Sequence, residues 1–522
     1  MSIFLWGYYD LLRVGWVLVR EGVIASLPSE RLPFAVVIIK KMTFFLVRRK
    51  KKKCQRSDCL ARALERLGPS YVKMGQFLAT RPDIVGFKLA EDLSLLQDKM
   101  NFFSTDKAKS CVSSSLKCSI EKLYSHFDDP VAAASIAQVH PAIINDVDGC
   151  RKVAVKIIRP GVRQRFFRDI KTMYLVARIQ ERLMPSVKRL RLLEVVHTLE
   201  QVTKMEMDLR LEAAAFSEMA ENIVSDQGFR VPKVDWSRTG RDVITMEWVE
   251  GIKISDTEKL RSLGYDLERL SVTLVQSFLL HTLRDGFFHA DLHPGNLFID
   301  SQECIVAVDM GITGRLGKRE RRFLAEILYG FISRDYQRVA NVHFEAGYVP
   351  RHHNVASFAQ AIRAIGEPIH GQSSDAISMG QLLTMLFEIT DLFDMMTRPE
   401  LVMLQKTMVV VEGVARMLNP QFNMWVTSEP IVESWLRDYI GPKGKIACFQ
   451  DGINEAVRLV QTTPHLSSSI EKVSKALLEA SEKEDFFDFS KRKSSYRASS
   501  FLETIVVLSI FITLIYIIVT IR

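Results

Sequence analysis

The octapeptide HADLHPGN, residues 289–296, places a His, an Asp two positions later and an Asn five positions beyond that Asp. In phosphoryl-transfer sites this spacing sets a carboxylate to orient or deprotonate the attacking hydroxyl or water, and a carboxamide to hold a metal ion. Asp291 takes the first role and Asn296 the second, on a loop that Pro294 and Gly295 force along a tight path. Asp309, in VAVDMG, follows thirteen residues after Asn296 through an apparent hairpin (LFI, turn DSQE, CIVAVD), at the place of the metal-binding aspartate of a D-F-G segment. Three residues of one phosphoryl-transfer site, Asp291, Asn296 and Asp309, are thus in register. The pattern HxDxH also reads as a zinc centre, but that reading leaves Asn296 and Asp309 unexplained. His289 is expected to pin the loop by packing and hydrogen bonding.

Upstream, KVAVKIIR (residues 152–159) resembles the V-A-I-K strand of protein kinases, with Lys156 placed to pair with the α and β phosphates of ATP. A lysine on an apolar strand is costly unless paired. The candidate partner is Glu212 in EMDLRLEAAAF, fifty-six residues on, a separation that requires inserted helices. Where a Gly-rich nucleotide loop would stand, the chain has AAASIAQVH (132–140). Ala132, Ala133, Ala134 and Ser135 carry Cβ atoms that restrict backbone approach to phosphates, so nucleotide grip should differ from ordinary kinases. Small residues before a strand also read as a plain turn.

These residues, taken with YVKMGQ (71–76) and EMD (206–208), resemble the UbiB family of ABC1 atypical kinases. Lys73, Gly75 and Gln76 stand in the places of its KxGQ signature, Glu206 and Asp208 in those of its ExD motif, and AAASIAQVH in that of its Ala-rich loop. LGPSYVKMGQFLATRPDIV and LLQDKM extend the likeness upstream and LQKTMVVVEGVARML downstream, so it covers roughly residues 60 to 440. Spacing alone puts Lys73 and Gln76 on one helix face. The resemblance implies that this face folds over the active site and engages the ExD acids. It further implies ATP and Mg²⁺ as cofactors, ATP hydrolysis or small-molecule phosphorylation before protein phosphorylation, and a role in ubiquinone biosynthesis involving polyprenyl phenol or quinone intermediates and other enzymes of that pathway. A protein or lipid kinase, and a nucleotide-binding scaffold for a quinone-biosynthesis complex, are the alternatives. Met310 replaces the Phe of D-F-G, so the metal contact of Asp309 carries over but the Phe-dependent packing switch does not. No flavin fingerprint, haem motif or non-haem iron triad is recognisable, which points to assistance of ring oxygenation and not to its catalysis.

The elements that must position these groups follow from periodicity. Residues 54–128 carry apolar positions at helical spacing (CLARALERLG, DLSLLQDKM) and read as a helical extension bearing KxGQ. Short β-branched runs within 129–252 describe a small sheet lobe with a helical insertion, and 253–481 a helical lobe carrying the catalytic loop. The expected fold is α+β, a two-lobed atypical protein-kinase-like domain with a helical N-terminal extension and a C-terminal transmembrane helix.

That helix is expected at 504–521, eighteen residues without a charge, after a linker at 482–503. A buried core helix is the bland alternative, and a single span departs from the two-span tail of near relatives. The net charge of +9 lies at the ends, +8 in residues 1–53 and +4 in 491–522, leaving about −3 for the body, so nucleic acid is not the expected partner. Residues 1–53 read as an amphipathic, polybasic membrane-proximal segment. Its run Arg48 to Lys53 suits the lipids of an anionic cytoplasmic leaflet, though it also reads as a solvated charge run. Lys491, Arg492, Lys493 and Arg497 before the span, against Arg522 after it, keep the body in the cytoplasm, on a bacterial inner membrane. The seven cysteines form no CxxC pair or disulfide framework, and the N-terminus lacks the features of a secretory signal.

Overall fold

The computed structural model describes residues 2–23, 56–79, 101–146, 149–183, 191–371 and 399–440, with isolated positions between 85 and 93 and between 389 and 395. The expected transmembrane segment 504–521, the linker before it, residues 441–481 of the helical lobe and the basic run 48–53 lie outside the described residues. Among the described residues no helix is long and apolar enough to cross a membrane.

The first sheet is antiparallel in the order β1 (His126–Phe127), β3 (Ala137–Asp146), β4 (Gly149–Ile158), β6 (Val243–Glu247), with the short β2 (Ala132–Ala133) also paired to β3. Successive strand side chains alternate between faces. On β4, Val153, Val155 and Ile157 are buried on one face, while Ala154 and Lys156 turn to the other. The apolar face is covered by α4 (Thr105–Leu116) and α5 (Ile120–Leu123), through Ala108, Val112 and Leu123. The sequence assigned α4 to the KxGQ extension; its apolar stripe is instead filled by the sheet.

Preceding α4 are α1 (Ser2–Arg20), α2 (Arg56–Leu67) and α3 (Pro69–Ala79). Gly68, at φ 110°, turns α2 into α3, and a Cβ there would meet the Arg165 guanidinium. The sequence placed residues 1–53 at a membrane surface. The structure buries Val14, Val17 and Leu18 of α1 in the main core, packs that helix against α2 and against the helix Val162–Leu183, and joins buried Glu21 to Arg66 at 2.7 Å. Part of the apolar surface of α1 is thus occupied by protein, while Leu12 and Trp16 of the same helix remain exposed.

The insertion inferred between Lys156 and Glu212 consists of α6 (Val162–Leu183) and α7 (Leu192–Glu206), after which α8 (Leu209–Asn222) carries Glu212. A second sheet orders β7 (Gly251–Lys253), β9 (Leu297–Asp300), β10 (Ile305–Ala307) and β5 (Phe229–Arg230), with the expected hairpin formed by β9 and β10. Between these strands in the chain lie α9 (Thr257–Ser262) and α10 (Leu267–Leu280). Beyond α10 a π-turn, His281–Asp285, closes on Gly286 at φ 68° and delivers β8 (Phe287–His289). A two-stranded ribbon joins β8 to β11 (Thr313–Arg315), with His289 opposite Thr313. This pairing brings the loop after β8 beside the segment before β11. The remaining described residues form α11 (Lys318–Ile332), α12 (Tyr336–Glu345), α13 (Val355–Gly371), α14 (Pro399–Leu418) and α15 (Met424–Ile440) with their connecting turns. The last two pack on α10, whose Leu270, Leu274, Val275 and Phe278 are buried.

Candidate active site

Lys156 Nζ lies 2.6 Å from Glu212 Oε1 and 3.0 Å from Asp309 Oδ2. Side-chain exposure is 11% for Lys156, 6% for Glu212 and 36% for Asp309, so the aspartate forms the open side of the cluster. Burial works against the lysine's charge, but the Asp309 and Glu212 carboxylates outweigh it and raise its pKa. Burial also disfavours the Asp309 carboxylate, and there Lys156 together with the Gly311 amide prevails, holding it well below the usual range. Glu212 moves the other way, pushed up by burial and by the neighbouring Asp309 charge.

Local structure explains each position. Glu212 sits in the first turn of α8, where a helix N-terminus favours an acid, and Asp208 caps that helix by accepting the Arg210 amide at 3.2 Å. Glu212 Oε1 also accepts the Met310 amide at 3.4 Å, joining α8 to the Asp-Met-Gly segment. Met310 is buried in the place of the D-F-G phenylalanine. The Gly311 amide donates to Asp309 Oδ1 at 2.8 Å, and a Cβ on Gly311 would come within 3.0 Å of that oxygen.

The loop HADLHPGN is held by its histidines. His289 Nδ1 accepts the Asp291 amide at 3.0 Å, which leaves the ring proton on Nε2, and burial keeps the imidazole neutral. His293 Nδ1 accepts the Gly295 amide at 3.0 Å and starts a 3₁₀ turn over Pro294–Asn296. Both histidines serve the loop backbone in this way, the role expected of His289. Asn296 Nδ2 points at Asp291 O (3.5 Å), and the Val308 amide donates to Asn296 O at 3.0 Å, so loop and hairpin share one frame. The amide oxygen of Asn296 and the part-exposed carboxylate of Asp309 are hard oxygen donors, the set Mg²⁺ prefers, and with Lys156 for phosphate they fit Mg–ATP.

The KxGQ helix meets the ExD motif through Lys73 and Glu206. Lys73 Nζ lies 2.8 Å from Glu206 Oε2, both largely buried. Asp208 is held differently, by Arg210 at 2.6 Å and as the α8 cap. Gly75 is buried on α3, and Gln76 follows Lys73 by three residues on the same helix. Lys73 and Ile136, the latter just after Ser135 of the Ala-rich loop, line one narrow recess with Phe166 of α6 and Thr203 of α7, the helices on which α3 packs.

The Ala-rich loop is a hydrogen-bonded turn. Ala132 and Ala133 pair with Val139 and Gln138, the Ala134 amide donates to Ala137 O at 2.8 Å, and Ser135 is buried. Part of the backbone that a Gly-rich loop would offer to phosphate is committed to these bonds.

The sequence reading missed several supporting residues. Arg159 Nε donates to Ala134 O at 3.2 Å. Gln138 bonds both the amide and the carbonyl of Phe103 and reaches His140 Nε2 at 2.7 Å. Arg163 bonds Asp242 and Met207 O, bracing the ExD turn. Buried Thr407 of α14 shares its hydroxyl proton between Ala290 O at 3.0 Å and Met403 O at 2.8 Å, tying the helical lobe to the loop that carries Asp291. A hydroxyl inside the apolar run LQKTMVVVEG was its one visible signal.

Comparison with known proteins shows the family. Residues 95–343 match the ABC1 atypical kinase-like domain and residues 362–423 the UbiB helical domain. A protein of Marinobacter nauticus named "Probable protein kinase UbiB" is 38% identical over 450 residues, 84% of this chain and 81% of the relative. One of the same name from Histophilus somni is 37% identical over 409 residues, 77% of this chain and 75% of the relative. An erythromycin complex of a Mycobacterium tuberculosis protein is similar with a TM-score of 0.48 at 25% identity, covering 70% of this chain and 93% of that one. With identity of this order across most of its length and both domains present, the chain belongs to the UbiB family of ABC1 atypical kinase-like proteins.

Proposed function

We propose that this protein uses ATP, by hydrolysis or by phosphorylation of a small molecule, to support ubiquinone biosynthesis at the cytoplasmic face of a bacterial inner membrane, acting on or presenting polyprenyl phenol intermediates. The observation that carries the ATP chemistry is the Lys156–Glu212–Asp309 cluster beside the Asp291–Asn296 loop. Bound Mg–ATP supplies the transferable phosphoryl group and a charge-neutralising cation. Lys156 presents a cation to phosphate oxygens, steered by Glu212. Asp309 and Asn296 offer oxygen donors to the metal, and Asp291 accepts the proton of the attacking hydroxyl or water.

The Lys73–Glu206 pair, which ties the KxGQ helix to the end of α7 at the ExD motif, supports hydrolysis or a small acceptor ahead of a protein acceptor. The relatives' printed name favours a second reading, a protein kinase. Membrane attachment belongs to the proposal through the uncharged segment 504–521 and the basic run before residue 54. Anionic lipids and other enzymes of the pathway are the partners.

The test is Mg²⁺-dependent ATP turnover by the full chain, alone, with anionic liposomes, and with liposomes carrying a polyprenyl phenol. Turnover that rises with membrane and phenol supports the proposal. Turnover indifferent to both, with phosphate appearing on an added protein, replaces it by the kinase reading. Lys73→Ala is expected to change turnover or acceptor preference in a folded protein, and an aggregated variant assigns Lys73 a structural role.

A further inference from the structure

Away from the nucleotide cleft, three metal-ligating side chains converge on the helical lobe. His352 and His353 occupy the turn before α13, and Asp394 follows Phe393 with a left-handed backbone at φ 48°. Asp394 Oδ2 lies 3.3 Å from His353 Nε2 and 3.8 Å from His352 Nε2, and the three ligand atoms all lie within 4.8 Å of one another. Four-coordinate zinc, with bonds of about 2.0–2.1 Å, spaces its ligand atoms about 3.4 Å apart. One edge of that figure is already formed, and a small movement of His352, whose side chain is mostly exposed, completes it.

The surroundings fix two of the three groups. The His353 side chain is only 20% exposed and packs edge-on to Phe393 at 5.3 Å. Its amide donates to Pro350 O at 3.2 Å, and Asn354 Oδ1 next to it caps α13 by accepting the Ala356 amide at 2.7 Å. Phe393 is buried and bonded through its own amide to Ile389 O, which sets the position of Asp394. The two imidazole rings lie with centroids 4.1 Å apart and planes tilted by 39°, and both Nε2 atoms face the same Asp394 oxygen.

We propose that His352, His353 and Asp394 form a three-ligand site for a borderline divalent cation of the zinc class, with a fourth position open to water or an added ligand. Two imidazoles and one carboxylate select such ions over Mg²⁺ and Ca²⁺, which favour all-oxygen sets. Both histidines lie between the two matched domains and Asp394 lies within the second, so a bound ion fastens the connecting segment to the helical domain. This site is independent of the nucleotide chemistry proposed above.

The full-length chain, freed of affinity tag and stripped with chelator, is titrated with Zn²⁺ against a competing indicator and with Co²⁺ as a spectroscopic probe. Asp394→Asn and His353→Ala are measured beside it, with Asp309→Asn to control for the nucleotide site. Expected are one zinc equivalent that excess Mg²⁺ does not displace, affinity at least about tenfold weaker in both cluster variants and unchanged in Asp309→Asn, and a zinc-dependent rise in melting temperature confined to chains with the intact cluster. Cobalt should show tetrahedral visible bands without thiolate charge transfer. No retained zinc, equal affinity in Asp394→Asn, or thiolate bands tracing the metal to cysteine would each overturn the proposal. Asp394 is exposed, so its variant folds and carries the test even if His353→Ala does not.

Discussion

Glu212→Gln separates the two roles of the carboxylate that Lys156 touches. In the structure Lys156 contacts Glu212 at 2.6 Å and Asp309 at 3.0 Å, so loss of the Glu212 charge still leaves the ammonium paired. The roughly 3–5 kcal/mol cost of an orphaned buried ion is therefore avoided. What is lost is one hydrogen bond between charged groups, about 1.5–3 kcal/mol, partly offset because burial already disfavours the Glu212 charge. The net stability change should stay under about 2 kcal/mol, a melting shift of a few degrees. Function should suffer more. To serve phosphate, Lys156 must leave Asp309, and Glu212 is what holds it in place when it does. Without that anchor the lysine stays on the metal-binding aspartate, and the same 1.5–3 kcal/mol appears as about a 10- to 150-fold loss of Mg–ATP affinity. Nucleotide titration at several Mg²⁺ concentrations reads this directly, with partial recovery at high Mg²⁺ because cation and lysine compete for Asp309. Unchanged nucleotide affinity, or a melting temperature lowered by ten degrees or more, would refute this account of Glu212.

Asp309→Asn should abolish Mg²⁺-dependent nucleotide affinity, and intact magnesium dependence in equilibrium binding would remove Asp309 from the metal site. Thr407→Val, which takes a buried donor from Ala290 O, should cost about 1–3 kcal/mol and lower kcat more than it raises KM, measured by thermal melts and steady-state kinetics. Burial pushes His281 and His343 down to about 4, so each binds a proton more readily unfolded than folded. Their contribution is complete above about pH 6.5 and is lost as pH falls toward 4, roughly 2 kcal/mol each at pH 5. Denaturant melts from pH 7 to 4.5 should show this slope, and His343→Gln should remove about half of it.

Much of the site was legible because its residues sit at fixed short spacings. HADLHPGN, the following hairpin and Asp309 form one continuous stretch, and the β8–β11 pairing completes its geometry. Lys156 and Glu212 were also legible, since a lysine on the cleft face of an apolar strand demands a carboxylate and α8 offers one in its first turn. The burial of α1 was not legible, because apolar and basic residues near a chain end fit a membrane as well as they fit α2 and α6. The use of Asp208 as a helix cap was hidden for a similar reason: an acid in a named motif and an acid at an N-cap look alike in sequence. The contacts of Gln138, Arg163 and Thr407 join segments 35 to 117 residues apart, which no local pattern encodes. Asp394 lies 41 residues from His353, so the cluster on the helical lobe also emerged only in three dimensions.

The most direct test of the central claim is Mg²⁺-dependent ATP turnover by the full-length chain compared with its Asp291→Asn variant, with nucleotide affinity measured on both. The account predicts turnover that disappears in the variant while Mg–ATP affinity stays within about threefold, since Asp291 acts on the attacking group and not on the nucleotide. Equal turnover in the two proteins, or nucleotide binding without turnover in the parent chain under every membrane and phenol condition, would contradict it.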